Sequence, residues 1–410
     1  MIKDNTYNKR NTIVVAIIWP IMGLIMAIKH YNKFNTKNII LAFCALYGFT
    51  FVINEVMDGD RYAERLKADY GKPFSASALN EHITGLYETS LDFVQPLINF
   101  IISRFTDSHH ILFAVYALIF GFFWLKSIDF VNRRFQMSKN KLTILYTIFL
   151  ISLIPIFNIN GFRMWTAAWI FIYGALHIIF NKDKRYFLFS LAACSVHFSF
   201  LTANVILILW FFLGNHKWVY LGLALLTFAI SELDLEIVRT YAEMISPAFE
   251  TKVNAYTHEG YAENVAEQRT NAAWFMKLTP ILTRYLLLFN LVGLAFLSVR
   301  KKLLQSELNL LNFTLLFLAY ANIVNLVPSG GRFMTVYYVF AAILSIVLFS
   351  KYHYKRLDSP HGLVSLGTIL LSVLITFRAA APSINTILFA PTILIPFGYD
   401  LEWPLIDWLF

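Results

Sequence analysis

Twelve apolar runs punctuate this sequence, at about 12-28, 38-53, 109-128, 142-157, 162-180, 186-199, 200-213, 218-231, 280-299, 308-327, 334-350 and 363-378. A soluble core cannot absorb so much apolar surface, whereas a bilayer takes roughly 20 apolar residues in each helical crossing. The composition points the same way, with 58% of residues hydrophobic and 14% charged, against about 25% charged in ordinary soluble proteins. The expected fold is therefore all-α: a polytopic integral membrane protein of about 12 transmembrane helices, forming a single membrane-embedded domain over 1-410. Several runs fall short of the roughly 17 residues of a full crossing, so some helices should be short or broken. The stretch 186-213 reads either as a broken pair or as one long tilted helix.

The net charge of +9 records topology here, and no nucleic-acid partner is expected. Lys and Arg favour cytoplasmic loops, and they gather in alternate connections: Lys29, Lys33 and Lys37; Arg133, Arg134, Lys139 and Lys141; Lys182, Lys184 and Arg185; Arg300, Lys301 and Lys302; Lys351, Lys355 and Arg356. Placing these inside puts both termini outside, with the basic N-terminus (Lys3, Lys9, Arg10) as the one dissenting feature. The N-terminal run has no small-residue cleavage site and is expected to be retained. Cys44 and Cys194 lie in apolar runs and suggest core filling, with no disulfide framework.

Two loops on the outer side, 54-108 and 232-279, are far longer than ordinary connections, and long loops on one face point to function. Within them, stretches 86-105 and 233-249 mix apolar and charged residues at near-helical spacing, as amphipathic helices on a membrane surface do. These loops are expected to form an outer-face lid.

Ionisable and polar residues at bilayer depth are costly, which makes them functional candidates. Asn158-Ile159-Asn160-Gly161-Phe162-Arg163 breaks two aromatic-rich runs and brings two amides beside a guanidinium; an interfacial arginine snorkelling to water is the competing reading. Pro328-Ser329-Gly330-Gly331-Arg332-Phe333 pairs glycines, which allow close backbone approach, with a forked cation suited to phosphate. A plain glycine turn bearing a topological charge would look the same. Asn322 and Asn325 share a face of the preceding helix. His197, in Ser195-Val196-His197-Phe198-Ser199, is either a satisfied core histidine or a functional group at a helix break. Asp58, Asp60, Arg61 and Tyr62 head the first long loop, where carboxylates could orient a sugar or take a proton; an exposed charge cluster is the alternative. Arg284 and Arg378 are explained by snorkelling. No histidine spacing suits a metal, and no phosphate loop, dinucleotide fingerprint or nucleophile elbow occurs, so neither cofactor nor metal is expected.

The order Asp58-Gly59-Asp60-Arg61-Tyr62, Asn160 to Arg163, Ser195-x-His197-x-Ser199 and Gly330-Gly331-Arg332-Phe333, set in a chain of ten to twelve spans, resembles bacterial Wzy-type polysaccharide polymerases, in particular the EpsG-like branch. The resemblance implies a membrane glycosyltransferase of the bacterial plasma (inner) membrane, with its active site facing the periplasm or exterior. It would join undecaprenyl diphosphate-linked oligosaccharide repeats into O-antigen, capsule or exopolysaccharide. Membrane lipid, a chain-length regulator and a flippase are its implied partners. Such chemistry must stabilise a departing diphosphate and accept a proton from a sugar hydroxyl. Arg163 and Arg332 are accordingly assigned to the diphosphate, and His197, Asp58 and Asp60 to acid-base work. Arg61, Tyr62, Asn158, Asn160, Asn322 and Asn325 are assigned to substrate binding. A flippase or transporter of lipid-linked oligosaccharides, or a membrane acyltransferase acting on surface sugars, is the alternative. The absence of a visible internal repeat disfavours transport, and the outer placement of His197 disfavours an acyl-CoA enzyme.

Overall fold

The computed structural model describes residues 9-33, 35-53, 58-73, 92-135, 140-233, 270-301, 303-352, 357-392 and 403-409, with scattered positions at 75, 77 and between 236 and 267. Every named element among them is helical, and their only β feature is an isolated bridge between Asn385 and Pro404. Helices α1 (Lys9–Ile18), α2 (Pro20–Lys29) and α3 (Thr36–Phe49) are followed by α4 (Asp58–Asp69), α5 (Val94–Ile102), α6 (His109–Phe135) and α7 (Lys141–Leu153). A 3-10 turn, Ile156–Gly161, leads into α8 (Phe162–Asn181), α9 (Phe187–Val196), α10 (Phe200–Leu213) and α11 (Lys217–Phe228). Then come α12 (Trp274–Arg300), α13 (Gln305–Val324), α14 (Gly331–Tyr352), α15 (Pro360–Ala380) and the short α16 (Ile406–Leu409).

Six stretches are long and apolar enough to cross a membrane, and one of them, Lys141–Asn181, contains both α7 and α8. Four further apolar helices, α2, α3, α10 and α11, are shorter. Each apolar run of the sequence thus holds a helix, and among the described residues six stretches have the length and apolarity of a full crossing. Apolar residues all around a helix favour a buried position, and α14 occupies it: Phe333 through Phe349 is buried almost without interruption. Amide and hydroxyl groups tie neighbouring helices to it. Asn290 donates to the Tyr146 hydroxyl (2.7 Å) and to Ser345 on α14 (3.0 Å), bonds that hold helices together where no water competes.

The run 12-28 does not cross as one helix. Proline has no N–H and restricts the residue before it, and Trp19 is extended (φ −142°, ψ 91°) just ahead of Pro20. In a continuous helix, residues 16 and 23 would stand about 10 Å apart along the axis. Here a Cβ built on Gly23 would lie 2.3 Å from the Ala16 Cα, so α1 folds back on α2 as a hairpin. Ile13, Ala16 and Leu24 pack together with Ala27, Ile39 and Ile40. Arg10 therefore stands on the same side of the bundle as Lys29 and Lys33, whereas the run 12-28 was expected to cross; the chain's first eight residues lie outside the described ones.

The stretch 186-213 resolves as two helices. Asn204 donates to the Ser190 carbonyl at 2.7 Å, as an antiparallel pair requires, and the extended residue His197 (φ −148°, ψ 112°) makes the turn between them. At the end of the bundle away from that turn, Arg134 donates to Ser306 (3.3 Å), Asn215 to Asn309 (2.7 Å) and Lys217 to Ser298 (2.6 Å), while Lys351 pairs with buried Glu307 (2.7 Å). The helix ends rich in Lys and Arg thus share one end.

The charge rule predicts that this basic end faces the cytoplasm. Single cysteines placed at Arg10 and Leu304 should be labelled only from the cytoplasmic side, and those at Tyr70 and Gly260 only from outside. Labelling of position 10 from outside in intact cells would refute the N-terminal hairpin. Of the expected amphipathic stretches, 86-105 contains α5, which buries Gln95 and Asn99 against the Tyr116 hydroxyl (2.8 and 3.0 Å). Stretch 233-249 lies outside the described residues except for a few positions.

Candidate functional site

At the end opposite the basic cluster, a cavity of about 250 Å³ is lined by Asp92, Arg163, His197, Ser199, Gly330 and Arg332, with Val253 and Thr257 from the second long loop on its wall. Three sequence breaks build it. The 3-10 turn ends at Gly161 and places Arg163 in the first turn of α8. The extended His197 ends α9 and allows α10 to begin at Phe200. Ser329, at φ +63°, reverses the chain so that Arg332 falls in the first turn of α14. Unpaired N–H groups and the helix dipole make such first turns attractive to anions. Both arginines thus sit where backbone electrostatics add to their own charge.

The α13-α14 turn is tight. A Cβ on Gly330 would lie 1.8 Å from the Val324 carbonyl oxygen, and backbone cannot yield as a flexible side chain can. Gly330→Ala should therefore cost about 1–3 kcal/mol of stability, the range for overpacking. A thermal melt of the purified variant in detergent tests this; an unchanged melting temperature would show that the turn relaxes freely.

Asp92, just ahead of α5, joins these breaks. Its Oδ2 accepts from Arg163 Nη1 at 3.2 Å, and its Oδ1 accepts from the Phe198 backbone N–H at 2.6 Å. The next residue extends the seam, since the Phe93 N–H donates to the Ser195 carbonyl at 3.2 Å. The Asp92 side chain is 6% exposed and that of Arg163 is 30% exposed, so one carboxylate fixes a partly accessible cation and the His197 turn together. His197 Nδ1 lies 3.0 Å from Ser199 Oγ. Arg163 Nε donates to the Tyr62 hydroxyl at 3.4 Å. Burial raises the Tyr62 phenol's pKa, an effect that neighbouring Arg163 partly offsets, so Tyr62 stays protonated as a hydrogen-bonding partner. Arg332 lines the cavity, and its side chain makes no hydrogen bond or ion pair among the described residues.

Arg163, His197 and Arg332 thus share one cavity, with Tyr62 touching Arg163. The other sequence candidates fall elsewhere. Asp58 pairs with Arg61 within the first turn of α4, which also holds Asp60, and none of the three lines the cavity. Asn160 accepts from the Gly59 N–H at 3.0 Å and so anchors α4 to the turn before Arg163. Asn158 lies in that 3-10 turn. Asn322 donates to the Ala224 carbonyl and Thr227 (both 3.1 Å) and accepts from Arg284 (2.8 Å), which makes it a tie between helices. Asn325 ends α13, and its Oδ1 would lie 3.0 Å from a Cβ on Gly331. Arg284 also stacks over Phe228 at 4.0 Å.

Asp92 is the site residue that sequence reasoning passed over. It belongs to the mixed stretch 86-105, and its partners lie 71 and 106 residues away. A carboxylate as the single charged group in LDFVQPLINF was the available signal.

Residues 39-390 match the model of the EpsG family. The chain belongs to the EpsG family. This is a bacterial family whose membership suggests a polysaccharide-polymerase-like function in the membrane. No curated protein and no solved structure gives a significant match. The EpsG match spans α3 through α15, so every described cavity residue falls within it.

Proposed function

We propose that this EpsG-family chain joins undecaprenyl diphosphate-linked oligosaccharide repeats into an exopolysaccharide, capsule or O-antigen at the outer face of the plasma membrane. The observation that carries the reading is the convergence of Arg163 and Arg332, from two helix first turns, on a cavity that also holds His197 and the clamping Asp92. In the proposed reaction, an acceptor sugar hydroxyl attacks the anomeric carbon of the donor repeat. The bond from that carbon to the diphosphate oxygen breaks, and the lipid diphosphate leaves with the bonding electrons. Arg163 and Arg332 balance the developing negative charge as preorganised donors, the term that carries most weight in such catalysis. His197 accepts the hydroxyl proton.

Asp92 holds Arg163 and the Phe198 backbone at once, so it acts as a positioning residue. Val253 and Thr257 are proposed to cover the site as part of a lid, with Arg239 fastening Thr257 through its carbonyl (2.5 Å) and hydroxyl (3.1 Å). The test is reconstitution of the purified chain in liposomes with a lipid-linked repeat. A ladder of lengthened glycan with release of undecaprenyl diphosphate supports the reading. Movement of the lipid across the bilayer without lengthening would overturn it in favour of a flippase.

A further inference from the structure

A second cavity, about 550 Å³ in volume, lies among α2, α3, α6, α7 and the chain after α15, and its wall is almost entirely apolar, with Leu24, Ile40, Phe43, Leu125, Ile151 and Phe377 on it. It shares no lining residue with the cavity that holds Arg163 and Arg332. Its α2 wall runs from Ile21 to Ile28, with Tyr31 and Asn32 just beyond. A ten-residue helix is about 15 Å long, half of a hydrocarbon core of roughly 30 Å, which is the depth of one leaflet.

The end of this cavity at Asn32 and Asn132, which are hydrogen-bonded to each other at 2.9 Å, lies at the basic end of the bundle. Lys29 and Lys33 are exposed there, beside Lys37 and Arg133, which share Asp129. Lys37 and Arg133 are thus paired with one carboxylate while Lys29 and Lys33 stand exposed near them, and the α1-α2 hairpin brings Arg10 to the same side. Basic collars between membrane helices recognise anionic lipid headgroups. An apolar slot one leaflet deep, beneath such a collar, matches a lipid's two parts in the right order.

We propose that this cavity is a binding site for an anionic glycerophospholipid, with one acyl chain along α2 and the headgroup on Lys29, Lys33 and the Asn32–Asn132 pair. The substrate's isoprenoid tail is the less suitable occupant, because its diphosphate would belong with Arg163 and Arg332 at the opposite end. Only the exclusion of the isoprenoid tail rests on the catalytic reading; the slot and its collar do not, and the test does not involve polymer synthesis.

The full-length protein is exchanged into nanodiscs of phosphatidylcholine alone or mixed with phosphatidylglycerol, re-extracted in mild detergent and weighed by native mass spectrometry. One phosphatidylglycerol should persist on each chain, with little phosphatidylcholine in its place. Replacing both exposed lysines, Lys29→Gln and Lys33→Gln, should weaken retention by about 25-fold, from roughly five-fold per cation near a membrane surface. Cys44→Phe, which fills the slot, should remove the lipid while leaving the collar intact; if that chain fails to fold, the lysine variant carries the test alone. Equal retention of both lipids, undiminished retention in the lysine variant, or recovery of an isoprenoid diphosphate from the native protein in place of phospholipid would overturn the proposal.

Discussion

Arg163→Ala and Arg332→Ala should each lower polymer synthesis by about 100- to 1000-fold, the usual loss when one preorganised donor to a developing oxyanion is removed. Cells carrying either variant should accumulate single lipid-linked repeats and lack long polysaccharide. The two sites should differ in what substitution does to the resting protein. Arg163 is held by Asp92 and Tyr62, so its loss also strands a buried carboxylate and should reduce the amount of protein. Arg332 has no such side-chain partner among the described residues, so its loss should leave the melting temperature nearly unchanged. Lysine should rescue poorly at both positions, because an ammonium keeps the charge but lacks the planar fork that spans two phosphate oxygens. Wild-type polymer levels from well-expressed alanine variants would remove the diphosphate assignment.

Asp92→Ala should be nearly as damaging, for a different reason. It frees Arg163 from its fixed geometry and leaves the Phe198 N–H without the acceptor at 2.6 Å. An unsatisfied buried donor costs about 1–3 kcal/mol, and small displacements of catalytic groups can cost on the order of 100-fold in rate. Asp92→Asn separates the two effects: its amide oxygen can still accept from Phe198, but the charge opposite Arg163 is gone. Thermal stability should return most of the way in Asp92→Asn, while kcat stays at least tenfold below wild type and KM changes little. Equal turnover of Asp92→Asn and wild type would show that the carboxylate charge plays no part in positioning Arg163.

Much of this molecule was legible in one dimension because lipid leaves a helix few alternatives: every backbone group must be satisfied within the segment. The apolar runs therefore marked helices, and the residues that interrupt them marked turns. Asn160-Gly161, His197 and Gly330-Gly331 were visible as breaks, and each break delivers a candidate to the cavity. The choice among carboxylates was not legible. Asp58 and Asp60 sit in an eye-catching cluster yet belong to α4's own first turn, where Arg61 pairs with Asp58. Asp92 looked like one polar residue of an amphipathic stretch. Asn322 and Asn325 shared a helix face, but Asn322 joins α11, α12 and α13 while Asn325 borders the glycine turn.

The sequence by itself determined the membrane class, the helical breaks and the separation of a basic end from the end bearing Arg163, His197 and Arg332, since hydropathy, proline and glycine geometry and charge asymmetry are local properties. Only the tertiary structure decided that 12-28 turns back at Pro20 instead of crossing, because that depends on Gly23 packing on Ala16. It likewise decided that Asp92 is the carboxylate beside Arg163. An ion pair is chosen by which groups meet in a low-dielectric interior, and residues 71 positions apart in the chain meet only when the helices between them have packed.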